Sequence, residues 1–148
     1  MKFFMNETMY GRYRLIGQDH KEGRLDFDAR FGSDNWEEMV RTKKTVLTGY
    51  VNMDGFATNQ PLNGYLMIDL LGDKVLVYDF TFRSDTGKLM HFYGKKDVRY
   101  LNLPKTMTTL YGVVEQENIP IAEVESHFRF RTLPAFLLSL RVMSGKLG

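Results

Sequence analysis

The stretch from Tyr78 to Gly94, with the sequence YDFTFRSDTGKLMHFYG, contains a complete hairpin signal. Apolar and polar residues alternate on both sides of residues 84–87, as in half-buried β-strands. The residues between them, Ser-Asp-Thr-Gly, predict a type I turn followed by a glycine bulge. The predicted cross-strand pairs are Phe82 with Met90, Phe80 with Phe92, and Tyr78 with Gly94. One face of this hairpin would therefore consist of aromatic and methionine side chains.

The same alternation recurs along the chain and predicts eight strands. They are Met9–Leu15, Leu25–Phe31, Thr45–Met53, Gly64–Leu71, Lys74–Arg83, Lys88–Lys95, Thr106–Glu115 and Ile121–Phe130. Eight hairpin-linked strands favour an all-β fold, an antiparallel up-and-down barrel of the calycin or lipocalin kind, because closure removes unpaired sheet edges. A half-open, strongly curved sheet is the alternative.

The first two strands can form a hairpin in which charges and aromatic side chains match at the same time. A turn over residues 18–23 produces that arrangement. The predicted pairs are Arg14 with Asp26, Arg12 with Asp28, and Tyr13 with Phe27. Such pairs each contribute a few tenths to about 1 kcal/mol, and a slip by one residue would turn every aromatic side chain outward.

Two segments interrupt the strand pattern and predict helices. Asp34 and Glu37 have the spacing of a capping box, which predicts one short helix after the second strand. Residues 134–143 predict a C-terminal helix. Strand 64–71 is apolar on both faces, so something must cover its outer face. The C-terminal helix is one candidate cover, and a homodimer interface is the other.

Composition limits the classes of function. The chain has 148 residues, 43% hydrophobic and 14% aromatic, which fits one folded domain spanning 1–148 and excludes general disorder. It contains no cysteine and three scattered histidines, so we expect no metal site. A net charge of +2 argues against a nucleic-acid partner. The basic doublets Lys43-Lys44 and Lys95-Lys96 are expected to be solvated.

The N-terminal sequence and the hydropathy pattern indicate a cytoplasmic protein. Polar residues Asn6 and Glu7 come too early for the apolar region of a signal peptide. No run approaches the ~20 apolar residues that span a bilayer. We therefore expect no membrane span.

The inward-facing side chains of the predicted barrel could enclose a small apolar ligand. An eight-stranded barrel either fills its interior with side chains or holds one small ligand. The candidate ligand-binding residues are Tyr13, Phe27, Met67, Asp69, Tyr78, Phe80, Met90 and Phe92. Methionine and aromatic residues suit an apolar molecule, although the same residues would also form an ordinary core.

Asp69 is the candidate catalytic residue. A two-residue turn at Gly72-Asp73 would place its carboxylate inside the barrel, opposite Leu76, where burial would raise its pKa. It could then act as an acid or base with Tyr65 or Tyr78. A bulge that turns Asp69 outward is the alternative.

The two histidines in strands, His91 and His127, are predicted on the outer face. Neither lies at a sequence spacing that suggests a catalytic triad. The glycines form no phosphate-binding loop. We therefore expect no cofactor.

Several short motifs resemble a known family. They are Glu7-Thr8-Met9-x-Gly11, Asn63-Gly64-Tyr65-Leu66, Tyr93-Gly94-Lys95-Lys96-Asp97-Val98, Thr108-Thr109-Leu110-Tyr111, and Phe-x-Phe-Arg-Thr-Leu-Pro at 128–134. This set resembles the region that follows the flavin domain in cholesterol-oxidase-like members of the glucose-methanol-choline oxidoreductases. The flavin-binding fingerprint is missing here. The resemblance therefore implies a free-standing relative of an accessory module, and it implies no catalytic residues.

Three functions are compatible with these observations. The first is a non-catalytic module that binds a small apolar, lipid-like or sterol-like ligand or that supports a lipid-metabolising oxidoreductase. The second is a small cofactor-free isomerase or cyclase that uses Asp69. The third is a structural or oligomer-forming role, based on the apolar strand 64–71 and the predicted terminal helix.

Overall fold

The computed structural model describes residues 3–18, 21–69, 75–97 and 109–128, which form eight strands and one helix. The strands are β1 (Phe3–Leu15), β2 (Glu22–Ser33), β3 (Lys44–Met53), β4 (Ala57–Asp69), β5 (Val75–Arg83), β6 (Leu89–Asp97), β7 (Thr109–Gln116) and β8 (Ile119–Phe128). The helix, α1, spans Trp36–Thr42, between β2 and β3.

Each strand pairs antiparallel with its neighbours in sequence, and β8 also pairs with β1. The sheet therefore closes into an up-and-down barrel without a free edge. The predicted eight strands, their order, the closure and the short helix after β2 are confirmed. The predicted C-terminal helix at 134–143 lies outside the described residues.

The two ends of the barrel differ in their connections. One end, called the hairpin end, carries the connections 16–21, 54–56, 84–88 and 117–118. The opposite end, called the helix end, carries α1 within 34–43 and the connections 70–74 and 98–108. Strand β1 begins and β8 ends at the helix end. The two longest connections, 34–43 and 98–108, thus join strand ends on the same side of the barrel.

The hairpin of β5 and β6 has the predicted turn and register. The backbone N–H of Gly87 donates to the carbonyl of Ser84 at 2.9 Å, and Gly87 has a φ of 86°. The N–H of Ser84 donates to the carbonyl of Lys88, also at 2.9 Å. Glycine accommodates this left-handed conformation without a Cβ clash. The pairs Phe82 with Met90, Phe80 with Phe92, and Tyr78 with Gly94 are confirmed.

The first hairpin has the predicted faces but a different register. Tyr13 pairs with Gly23, four residues from the expected partner. The predicted pairs Arg14 with Asp26, Arg12 with Asp28, and Tyr13 with Phe27 are therefore wrong. Because Gly23 has no side chain, the Tyr13 ring can lie over it; an added Cβ would be 2.6 Å from a ring atom. The Tyr13 hydroxyl then donates to the carbonyl of Asp54 at 2.6 Å.

The predicted inward orientation of Asp69 is also wrong. Asp69 pairs with Val75, not with Leu76, and this difference of one residue reverses the faces. Leu66 and Ile68 consequently point into the barrel, while Met67 points outward and is 46% exposed. The predicted turn at Gly72-Asp73 lies outside the described residues.

Helix α1 begins one residue later than the capping-box pattern predicts. Asn35 is the N-cap, and its side-chain oxygen accepts from the N–H of Glu38 at 3.0 Å, so Asp34 and Glu37 do not form the cap. The Ser33 hydroxyl accepts from the N–H of Asn35 and so holds the residue before the helix. Met39 packs into the core and is 1% exposed, which anchors α1 against the barrel.

An aromatic cluster fills the middle of the barrel. It consists of Phe27, Phe80 and Phe92. The Phe80 and Phe92 rings stack with centroids 4.8 Å apart, and Phe27 meets Phe80 edge-on at 5.2 Å. Such ring pairs contribute about 0.5–1.5 kcal/mol beyond the area they bury. Aliphatic side chains surround the cluster: Met9, Leu25, Leu47, Val51, Leu62, Leu66, Leu76, Leu110 and Val114 are fully buried.

Candidate functional site

Three polar side chains meet inside this apolar barrel. We call Glu7, Tyr78 and Lys96 the buried network. The Tyr78 hydroxyl donates to Glu7 Oε1 at 2.6 Å, and Lys96 Nζ donates to the Tyr78 oxygen at 2.8 Å. Their exposed fractions are 4% or less. Burying such groups is unfavourable unless they are paired, so their position calls for an explanation.

Three strands hold the buried network in the half of the barrel nearest the helix end. Glu7 lies in β1, and Tyr78 in β5 spans the interior to reach it. Lys96 is the last inward-facing residue of β6, and it pairs with Leu76 of β5. The Phe27 ring lies 6.1 Å from the Tyr78 ring, so the aromatic cluster forms the floor beneath the network.

The network leaves hydrogen-bonding capacity unused. Among the described residues, Glu7 Oε2 has no hydrogen-bond partner although it is buried. Lys96 Nζ is 3.9 Å from it, which is an ion-pair distance but too long for a hydrogen bond. Nζ also lies 3.8 Å from the sulfur of Met9, a weak acceptor. One carboxylate oxygen of the buried network thus lacks a hydrogen bond among the described residues.

Burial changes the protonation equilibria of all three groups. It lowers the pKa of Lys96 from 10.5 to about 7, and the nearby Glu7 carboxylate opposes that change. Burial likewise raises the pKa of Glu7, against the effects of Lys96 and Tyr78. The pKa of Tyr78 is raised by burial and by Glu7, so the phenol stays protonated. Near neutral pH about half of the lysine is thus an uncharged amine.

Lys96 should make stability increase with pH. Between the folded pKa of about 7 and the ordinary value of 10.5, the unfolded chain binds a proton that the folded protein does not. We expect the free energy of unfolding of the native protein, relative to K96M, to rise by up to about 1.4 kcal/mol per pH unit over that range. Glu7, whose pKa is raised, acts in the opposite direction at lower pH. Urea denaturation at a series of pH values measures the difference.

The matched control for this prediction is K95M. Lys95 is the neighbouring residue and is exposed on the outer face, so its removal should leave the pH dependence parallel to that of the native protein. A difference between native protein and K96M that stays constant from about pH 7 to pH 10 would contradict the burial argument.

The structure places six of the eight predicted ligand-binding residues inside the barrel. These are Tyr13, Phe27, Tyr78, Phe80, Met90 and Phe92, none more than 7% exposed. Met67 and Asp69 lie on the outer face, and Asp69 Oδ1 is 3.8 Å from Lys43 Nζ. Tyr65 also faces outward. The barrel wall therefore separates Asp69 from Tyr78, so the predicted placement of the two side chains together inside the barrel is wrong.

The two strand histidines lie on the outer face, as predicted. His91 Nε2 is 2.6 Å from Asp79 Oδ1, and its Nδ1 is 3.2 Å from Glu115 Oε1. Partial burial lowers the pKa of His91, but the hydrogen bonds to both carboxylates outweigh it and the pKa is raised overall. His127 is exposed and lies 3.4 Å from Glu125. These contacts are typical of charged side chains that pair across strands on a protein surface, and they do not have the arrangement of a catalytic site.

The sequence interpretation missed Lys96 and Glu7. It treated the doublet Lys95-Lys96 as solvated, which is wrong for Lys96. The signal was present in the alternation of β6, where Met90, Phe92 and Gly94 face inward and position 96 continues the series. Glu7 and Lys96 also fall within two of the motifs that carry the family resemblance.

The outer surface of the barrel also has depressions. One depression has a volume of about 600 Å³ and lies outside β1–β4, between Asn6, Asp28, Arg30, Tyr50 and Asn63. Its walls combine polar side chains with apolar ones such as Pro61 and Leu62. Within the described ranges, no group of three acidic or histidine side chains is arranged to hold a metal ion. None of the helical residues described forms a segment long and apolar enough to cross a bilayer.

Comparison with known proteins identifies no family for this chain. No family model matches the sequence. No curated protein matches it with significance. The function proposed below therefore depends on the barrel and its buried network.

Proposed function

We propose that this protein is a calycin-like, non-catalytic binding module that holds one small apolar ligand with a single polar group. The observation that carries the proposal is the buried network, which places an amine, a phenol and an incompletely bonded carboxylate in an apolar interior. Small-molecule sites combine apolar walls with a few convergent polar groups in this way. The ligand's polar group would bond to the network, and its apolar part would contact the barrel wall.

The arrangement of the two ends supports access from the helix end. The hairpin end is closed by short turns, and the aromatic cluster fills the middle of the barrel. The buried network lies on the other side of that cluster, toward the helix end. Loops at the mouth of a barrel commonly govern access to its interior. We propose that the ligand enters there and that the protein acts in the cytoplasm.

The family resemblance suggests a lipid-like or sterol-like ligand and a role beside a lipid-metabolising oxidoreductase. Both ideas agree with an apolar interior that contains a polar anchor. The resemblance contributes the ligand class only, whereas the anchor comes from Glu7, Tyr78 and Lys96 themselves.

Binding measurements with a matched pair of variants test the proposal. Protein from its own host is first examined by native mass spectrometry, and any ligand is extracted with solvent. Nile red is then bound and displaced by dodecanol. We expect K95M to behave like the native protein, and K96M or Y78F to bind dodecanol about 5–10-fold more weakly, as expected for one lost hydrogen bond. Absence of both a carried ligand and dye binding would refute the proposal.

A second candidate, homodimerisation, has one supporting observation. Val46 and Tyr65 are cross-strand partners on the outer face of β3 and β4, and Met67 lies beside them. All three are about half exposed. Such an apolar outer patch suits self-association. Sedimentation that finds only monomers at high concentration would exclude this role.

A further inference from the structure

Lys96 has the surroundings of a reactive amine. Its Nζ lies in the barrel interior, 2.8 Å from a phenol that is itself bonded to a carboxyl group. Burial lowers the pKa of this lysine to about 7, so about half of the amine is in the nucleophilic, unprotonated form at neutral pH. The adjacent Lys95 is exposed on the outer face above the Tyr93 ring. One chain thus presents two neighbouring lysines in opposite environments.

We propose that Lys96 captures a small apolar aldehyde or ketone as an imine inside the barrel. This inference rests on the proposed function, since the carbonyl compound must first occupy the interior. It specifies that function further, because it names the polar group of the ligand and the atom that holds it. A carbonyl oxygen arriving beside Lys96 would also meet the Tyr78 hydroxyl.

Tyr78 and Glu7 can transfer the protons that imine formation moves from the amine nitrogen to the carbonyl oxygen. The lone pair of Lys96 Nζ attacks the carbonyl carbon, a C–N bond forms, and the oxygen takes a proton by way of Tyr78. The nitrogen gives up two protons in turn, a second proton reaches the hydroxyl oxygen by the same route, the C–O bond breaks, and the oxygen leaves as water. Glu7 exchanges these protons through Tyr78. The sum is amine plus carbonyl compound giving imine plus water, without net proton transfer or redox change.

Reductive trapping measures the capture at each lysine. The native protein is incubated with dodecanal and sodium cyanoborohydride, which reduces imines to stable secondary amines. Peptides are then mapped by tandem mass spectrometry. We expect Lys96 to be labelled at least about 10-fold more than Lys95 near pH 7, because burial lowers the pKa of Lys96 to about 7 and leaves about half of its amine unprotonated there. Dodecanol, which binds without reacting, should suppress the labelling of Lys96 and leave Lys95 unchanged.

Two variants complete the test. K95R should retain the labelling at position 96, and Y78F should slow it by removing the proton carrier. Site mapping on the native protein needs no variant in the core, so a folding defect cannot obscure the result. Labelling spread over exposed lysines without an excess at Lys96 would overturn the inference.

The dodecanol measurement separates this inference from the proposed function. If dodecanol binds but dodecanal leaves Lys96 unlabelled, the imine is wrong and the binding module stands. If neither compound binds, both are wrong. If Lys96 is labelled and dodecanol protects it, both are supported.

Discussion

The apolar variant E7L/Y78F/K96M is expected to be more stable than the native protein, by about 1–4 kcal/mol. Each side chain of the buried network loses its hydration on folding, and the contacts that replace it are incomplete at Glu7 Oε2. Apolar side chains of similar volume remove this unfavourable contribution. Guanidinium denaturation followed by circular dichroism measures the difference in the free energy of unfolding.

The same variant should lose high-affinity dodecanol binding. Greater stability with lost binding is the pattern expected of polar groups retained for function. The outer-face variant E125L/K95M, which also removes one acidic and one basic residue, should change stability by no more than about 0.5 kcal/mol. If the apolar variant is instead less stable than the native protein, the network is a structural element, and the proposed function loses its main support.

Substitution of Gly49 should strongly destabilise the barrel. Gly49 lies in β3 with a φ of 149°, and an added Cβ would lie 1.8 Å from the backbone oxygen of Asp28 in β2. Neither backbone can move without breaking the pairing of β2 with β3. We expect G49A to lose about 1–2 kcal/mol for the backbone conformation and about 1–3 kcal/mol more for the steric overlap. Thermal and urea denaturation measure the loss.

Gly87 provides the control for that prediction. It also has a positive φ, but no other atom lies within 4 Å of an added Cβ. G87A should therefore lose only the conformational contribution of about 1–2 kcal/mol. Equal losses in G49A and G87A would show that the close approach of β2 and β3 is readily relieved.

The sequence was sufficient to predict the strands and the hairpin of β5 and β6. Period-2 alternation is a local signal, and it survives in every strand of a barrel because one face is always buried. The turn at 84–87 adds a second local signal, since Gly87 determines the bulge and so the register. Where turn chemistry and alternation agree, faces and partners can be predicted together.

The register was mispredicted for two strand pairs, β1 with β2 and β4 with β5. In these pairs the connection is not a short turn of recognisable type, or side-chain packing between the strands determines the register. In the first hairpin, the close fit of Tyr13 over Gly23 determines the pairing, and the charge pairs do not. In β4 and β5, a different connection length reverses the faces and moves Asp69 outside. Such information is not contained in the local pattern of either strand.

Strand alternation alone could predict the buried network only by overriding the strong preference of lysine for the protein surface. Lysine is almost never fully buried, so a pair of lysines at a strand end indicates solvent exposure. Only one of the two can face outward in a regular strand, and alternation identifies Lys96 as the inward one. Its partners, Glu7 and Tyr78, are separated from it by 89 and 18 residues in sequence, and only barrel closure brings them together.

An even number of antiparallel strands places the start of β1 and the end of β8 at the helix end. If the barrel is attached to the surface of a sensor, the turns of the hairpin end are the suitable sites, because they lie at the end opposite the buried network. A reporter group at Asn118, in the turn between β7 and β8, would be anchored at the end of the barrel opposite the buried network and would leave the helix end unmodified.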